Sequence, residues 1–175
     1  MNGHIRDRGR DRDDRPSVLL VDDVEANLVA LTGLLEDMDC RIVRVRSGND
    51  ALRQLLKREF AVILLDIQMP EMDGYEVAHY ARDNPATREI PIIFLTASRE
   101  TDERVLRAFG PAPLDVLSKP MSPVILRSKV RVLLDLYTTK RRLADAVEAH
   151  DRALAELAEA RALLDNLPER SPEAE

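Results

Sequence analysis

Residues 62–74 read VILLDIQMPEMDG. The apolar run stops at a carboxylate, Asp66, and a proline and an Asp73-Gly74 turn follow directly behind it. By pattern alone the run is a short strand buried on both faces, because no polar residue alternates within it. The same unit recurs on either side. SVLLV (17–21) is a buried-type strand followed by Val24, Leu28, Leu31, Leu35 and Met38 at helical spacing. CRIVRV (40–45) leads into a helix carrying Ala51, Leu52, Leu55 and Leu56. FAVILLD (60–66) precedes a helix with Tyr75, Ala78 and Tyr80 inward, IPIIFLT (90–96) a helix near 101–109, and LDVLS (114–118) a long helix from Pro123. Strands alternating with helices imply right-handed crossovers, a parallel sheet and helices on both faces.

Such sheets carry their chemistry at the carboxyl ends of the strands, near the point where strand order reverses. Here those ends are Asp22 and Asp23, Asp66, Thr96, and Ser118 with Lys119. Three carboxylates in one pocket repel one another unless some protonate or a cation joins them. A hard divalent cation with oxygen ligands resolves the repulsion, and Mg²⁺ in such sites completes its shell with waters and phosphate oxygens. With Asp66 as a nucleophile towards phosphorus, Asp23 and Asp66 hold Mg²⁺ against one phosphoryl oxygen. Lys119 faces a second oxygen and the Thr96 hydroxyl a third, since phosphoryl transfer is mostly positioning and charge compensation. Singly, an Asp-Asp pair after a strand is most often a helix cap. Independent caps do not predict acid, acid, hydroxyl and amine at the ends of strands one, three, four and five.

LLVDDVEANL, VILLDIQMPEMDGYEVA, IPIIFLTAS and LSKPMSP together resemble the receiver domain of two-component response regulators, over about residues 17–138. The resemblance implies a flavodoxin-like, doubly wound five-stranded parallel sheet of order 2-1-3-4-5. It implies Asp66 as phosphoacceptor, Asp23 as a direct Mg²⁺ ligand with Asp22 acting mainly through water, and the Gln68 carbonyl as a further ligand. Thr96 becomes the switch hydroxyl and Lys119 the phosphate-contacting amine, with a cis bond expected at Lys119-Pro120. The implied donor is a histidine kinase or histidine phosphotransfer protein, and the domain assists its own phosphorylation rather than turning over a separate substrate. Gln68 and Ser98, two residues beyond Asp66 and Thr96, occupy positions that influence phosphoryl lifetime in the family.

Two departures stand out. Three residues before the lysine the family usually has Tyr or Phe, and this chain has Val116, a stiff side chain that cannot report by a large rotation. In GPAPLDV (110–116), Ala112 and Pro113 replace the usual Gly-Ala pair, and two prolines stiffen the approach to the fifth strand. Signalling through the face around that strand is therefore expected to be atypical.

The composition is globular, with 45% hydrophobic and 33% charged residues, and at 3% aromatic it requires an aliphatic core. A net charge of −6 argues against nucleic-acid binding, which needs clustered cations. A single cysteine, Cys40, allows no internal disulfide, and no stretch reaches the 18 or so apolar residues that span a bilayer, so a cytoplasmic location is expected. Residues 1–16 alternate Arg and Asp and are expected to be a disordered charged tail, as are the polar residues 168–175.

Between Pro123 and Pro168 no Gly or Pro interrupts the last helix. About 45 residues at 1.5 Å each carry it roughly 65 Å. Spacings of three and four mark Leu136, Lys140, Leu143, Val147, His150, Leu154, Leu157, Arg161 and Leu164, so residues 139–167 are expected to extend the helix as a coiled coil. A parallel homodimer is the expected pairing. His150 is read as a polar seam residue, since a phosphotransfer histidine needs a four-helix bundle around it. Three other readings compete. An aspartyl-phosphate phosphatase usually carries a second acid two residues after its nucleophile, where this chain has Gln68. The chain is otherwise a regulatory fragment of a larger hybrid kinase or diguanylate cyclase, or a constitutive coiled-coil adaptor.

Overall fold

A computed structural model describes residues 15–97 and 114–165. Five strands form one sheet: β1 (Ser17–Val21), β2 (Arg41–Val45), β3 (Val62–Asp66), β4 (Ile92–Thr96) and β5 (Leu114–Ser118). All neighbouring pairs are parallel, in the order β2-β1-β3-β4-β5. The chain's crossovers run through α1 (Glu25–Leu35), α2 (Gly48–Leu55) and α3 (Gly74–Asp83), and α4 (Pro123–Asp165) follows β5. The helix expected near 101–109, the Gly110–Pro113 segment, Ser98 and both expected disordered tails, apart from Arg15 and Pro16, lie outside the described residues.

Alternate residues of each central strand feed two cores, which is why these strands read as unbroken apolar runs. Val18, Leu20, Val62, Leu64, Ile93 and Leu95 face Leu28, Leu31 and Leu35 of α1 and Leu126, Val130 and Leu134 of α4. On the other face Leu19, Val21, Ile63, Leu65, Ile92 and Phe94 meet Ala51 and Leu55 of α2 and Val77, Ala78 and Ala81 of α3. β3 and β4 are buried at every position, whereas the edge strand β2 is partly exposed.

The strand expected from residue 60 begins at Val62, although Phe60 and Ala61 are buried just before it. β4 begins at Ile92 rather than at residue 90: Pro91 has no amide to donate, though its carbonyl accepts from the Ile63 amide at 2.9 Å. Three inward assignments are corrected, the first being Leu56, which is the cap residue after α2 and exposed. Tyr80 is 52% exposed, because α3 turns Val77, Ala78 and Ala81 towards the sheet. Val24, 47% exposed, is the cap residue of α1 rather than part of its buried stripe.

The cap of α3 sets the loop behind β3. The Asp73 carboxylate accepts from the Glu76 amide at 2.9 Å and the Glu76 carboxylate accepts from the Asp73 amide at 3.0 Å, a reciprocal capping box. The Gly74 amide donates to the Ile67 carbonyl at 2.9 Å, which brings this turn hard against the end of β3. A Cβ at residue 74 would lie 2.3 Å from the Asp66 carbonyl oxygen and 2.9 Å from the Ile67 Cα, both backbone atoms that cannot rotate away.

From Thr138 onward the chain forms a second unit, the described part of which is the continuation of α4. There Leu143, Val147, Leu154 and Leu157 are all at least half exposed.

Gly74→Ala is expected to lower the unfolding free energy by about 1–3 kcal/mol through backbone overlap. Gly33→Ala, whose Cβ meets nothing within 4 Å on the exposed side of α1, is expected to raise it by about 0.5–1 kcal/mol through helix propensity. Urea unfolding of the two variants beside wild type checks the opposite signs.

Candidate functional site

The strand order puts β3 next to β1, and the reversal of winding lies between them. Register brings their carboxyl ends level: Val21 pairs with Leu65, Asp66 with Leu95, and Thr96 with Ser118. Residues one step past these pairs, Asp22 after β1 and Lys119 after β5, therefore emerge at the same edge as Asp66. The burial of so many aliphatic side chains behind them is what holds polar groups at this spacing.

Asp22, Asp23 and Asp66 each bring a carboxylate oxygen into one cluster, all within 4.8 Å of one another. Asp22 and Asp66 are buried and Asp23 is partly exposed. The Lys119 ammonium donates to Asp66 Oδ1 at 2.6 Å and to Asp22 Oδ2 at 2.9 Å, so one cation bridges the ends of three strands. The Lys119-Pro120 bond is cis, as expected. The Lys119 amide donates to the Thr96 carbonyl at 2.6 Å, which ties the residue after β5 to the end of β4. Thr96 itself is buried at that end, 3% exposed. Gln68 sits exposed in the loop two residues beyond Asp66.

Asp22 is the most tightly held of the acids. Its Oδ1 accepts from the Val24 amide at 3.0 Å, and the Asn27 side-chain amide reaches both oxygens at 2.9 Å. Asn27 was not assigned a role from the sequence. Its only signal there is a polar residue in the first turn of α1, five positions after Asp22. Asp23 is held through its backbone, since its carbonyl accepts from Arg46 Nε at 3.2 Å and Nη2 at 3.1 Å. Arg46 likewise carried no sequence signal, because its reach depends on the pairing of β1 with β2.

The electrostatics follow from this crowding. Burial pushes the Asp66 carboxyl above its ordinary value; Lys119 pulls it back, while Asp22 and Asp23 push it up further. Burial also works against the Lys119 ammonium, but its hydrogen bonds to Asp66 and Asp22 outweigh that, and its pKa lies above the ordinary lysine value. The pair thus favours Lys119 more than Asp66, whose carboxyl stays raised chiefly by burial and in smaller part by Asp22 and Asp23. An all-oxygen donor set with excess negative charge and one open side fits a hard divalent cation. Asp22, Asp23 and Asp66 are the side chains that could hold it.

Val116 is partly buried and packs with the core on the α2–α3 face of the sheet, beside Phe94 in the β4–β5 register. The Phe94 ring lies 5.6 Å from that of Tyr75. The place expected to hold an aromatic switch is therefore filled by a small aliphatic side chain set into the sheet's packing.

The model of the response regulator receiver domain matches residues 18–131. A probable cyclic di-GMP phosphodiesterase of Vibrio cholerae is 39% identical over 119 residues, which cover 67% of this chain and 26% of that protein. The chain thus spans about a quarter of the length of that relative. Among solved structures, the signal receiver domain of a histidine kinase from Syntrophus aciditrophicus is 34% identical with a TM-score of 0.62, covering 69% of this chain and 90% of that one. The receiver domain of the sensor histidine kinase PA1611 of Pseudomonas aeruginosa, with a magnesium ion coordinated in its active-site cleft, is 26% identical with a TM-score of 0.61. That match covers 69% of this chain and 98% of that one. The chain belongs to the response regulator receiver family.

Proposed function

We propose that the protein accepts a phosphoryl group from a phosphohistidine donor onto Asp66 and signals through a homodimer formed by its C-terminal helix. The observation that carries the first half is the Lys119 ammonium lying 2.6 Å from Asp66 and 2.9 Å from Asp22, inside a cluster of three carboxylates. An Asp66 oxygen attacks phosphorus as the phosphorus–nitrogen bond of the donor breaks, and the donor imidazole leaves with that electron pair. Lys119, released from part of its pairing with Asp66, turns its charge to a phosphoryl oxygen, and the Thr96 hydroxyl donates to another. Asp22, held by Asn27 and the Val24 amide, stays in place while the charge beside it changes. Asp23, Asp66 and the Gln68 carbonyl would hold Mg²⁺ directly, with Asp22 acting mainly through water, and the ion would supply neutralisation of the growing negative charge. No separate substrate is turned over, so the domain acts as a self-assisting phosphoacceptor rather than a standing enzyme. A cytoplasmic location suits a phosphohistidine partner, and no described helix is long and apolar enough to cross a membrane.

A second reading is that the chain is the regulatory part of a larger hybrid kinase or cyclase, since sensor histidine kinases are among the proteins similar to it. The phosphoryl chemistry is the same under either reading.

With Mg²⁺ and a small-molecule phosphodonor, intact-mass measurement is expected to find one acid-labile phosphoryl group on wild type and none on Asp66→Ala. Undiminished labelling of that variant rules out Asp66 as the acceptor. Lys119→Ala is expected to slow labelling by about 10²-fold, the usual loss on removing one preorganised charge donor.

The raised Asp66 pKa predicts a pH dependence in metal-free protein. Because folding favours the protonated carboxyl, this group's contribution to stability is full below its ordinary pKa. It is lost as pH rises through the elevated folded value. Thermal unfolding in chelator should therefore show wild type losing stability relative to Asp66→Asn as pH climbs from the acid side to neutrality, with Mg²⁺ restoring wild type only. Lys119, also raised, contributes at every pH below the ordinary lysine value and loses that contribution only in the alkaline range. Curves for the two proteins that stay parallel from acid to neutral pH would contradict the elevated Asp66 pKa.

A further inference from the structure

The extension of α4 beyond Thr138 carries an apolar stripe with a defined set of exceptions. At spacings of three and four its seam positions run Lys140, Leu143, Val147, His150, Leu154, Leu157, Arg161 and Leu164. Leu143, Val147, Leu154 and Leu157 are 52–67% exposed, so the stripe is built and unburied. The positions flanking the seam are mostly small: Ala144, Ala146, Ala153, Ala158 and Ala160. Charged pairs between flanking positions normally set the orientation of two helices. With alanine there, the seam residues decide it.

We propose that two copies of the chain pair through this extension in antiparallel orientation, with Arg152 of one copy level with Arg152 of the other. The proposal rests on the homodimer proposed above and departs from the parallel pairing expected from the heptads. In a parallel pair in register, Lys140 faces Lys140, His150 faces His150 and Arg161 faces Arg161. Two of those layers set permanent cations against each other, and the third does so whenever His150 is protonated. In the antiparallel pair Lys140 lies level with Leu164 of the second copy, Leu143 with Arg161, Val147 with Leu157 and His150 with Leu154. Every polar seam residue then meets an aliphatic one, along which a long stem can lie with its charge directed outward.

Charge along the extension points the same way. Lys140, Arg141 and Arg142 form a basic start, while at the far end Glu156, Glu159 and Asp165 outnumber the single base Arg161. Antiparallel pairing sets residues 140–142 of one copy level with 162–164 of the other, between Glu159 and Asp165. Parallel pairing sets base against base and acid against acid. The antiparallel register brings one flanking acid, Asp151, near its own copy at the centre; the parallel register stacks two permanently cationic seam layers, Lys140 and Arg161. Sliding the antiparallel register one heptad in one direction brings Arg161 opposite His150, and sliding it in the other shortens the overlap, so the centre at Arg152 is preferred.

A spin label on Arg142→Cys, in a Cys40→Ala background, tests orientation in the full-length chain without altering the seam. Residue 142 of one copy is level with 162 of the other, 20 residues away, so the axial offset is about 30 Å. Sedimentation of the same labelled sample gives the mass. A dimeric mass with a label separation of about 30 Å or more supports the antiparallel pair. A dimeric mass with a separation below about 20 Å overturns the orientation and leaves the dimer standing. A monomeric mass overturns both. Oxidising Leu143→Cys and Arg161→Cys proteins in the same background, separately and mixed, gives an independent reading. Cross-linked heterodimer in the mixture, at several-fold excess over homodimer in either single sample, supports the antiparallel register. The reverse excess overturns it.

Discussion

The bridge from Lys119 to Asp22 and Asp66 is the constraint on which the rest of the site depends. It joins residues 97 and 53 positions apart in the chain, at the ends of β5, β1 and β3. Buried charges are costly to desolvate, and their pairing recovers that cost only with short, well-placed hydrogen bonds. The contacts at 2.9 and 2.6 Å meet that requirement, but only while three strands end flush. A slip of one residue in β3 would send Asp66 to the opposite face and leave Lys119 with one acid instead of two. The aliphatic cores on both faces of the sheet supply the stability that holds the register, and the polar edge draws on it.

The bridge also explains why the pocket is receptive. Lys119 neutralises part of the charge of Asp22 and Asp66, while burial first and the neighbouring acids second keep the Asp66 carboxyl above its ordinary value. Three carboxylates against one ammonium leave the pocket net negative, which suits a hard cation. Asp22 and Asp23 are held differently. Asp22 has its carboxylate fixed by Asn27 and the Val24 amide, whereas Asp23 is anchored by its carbonyl to Arg46, at the pocket's more exposed side.

Much of this was legible in the sequence because parallel buried strands announce themselves as unbroken apolar runs, and their ends can be read directly. Asp22, Asp23, Asp66 and Lys119, which the structure brings together, were read that way, as was Thr96, buried at the end of β4. Asn27 and Arg46 were not, since each acts through a contact set by helix phase or by strand register rather than by position at a strand end. Gly74 was legible as a turn residue, but its approach to the Asp66 carbonyl was not, because that distance follows from the capping box and the Ile67 hydrogen bond together. Tyr80 misled because three small or branched neighbours, Val77, Ala78 and Ala81, were enough to fill the face it was assigned to.

The two units of the chain draw on different sources of order. The receiver is held by burial on both faces of its sheet. The extension has alanines at 144, 146, 149, 153, 155, 158, 160 and 162, with Leu, Glu and Arg between them, so intrinsic propensity supports its helix without a partner. Association is then not required for folding. In the proposed pair the association free energy would come from a narrow stripe of exposed aliphatic residues, interrupted by Lys140, His150 and Arg161, and would be correspondingly modest. A modest equilibrium is one that a phosphoryl group can move, because a ligand shifts a population only by the difference in its interaction with the two states. With Val116 in place of a rotating ring, the proposed helix pair, if near balance, is the element of this chain best suited to register phosphorylation at Asp66.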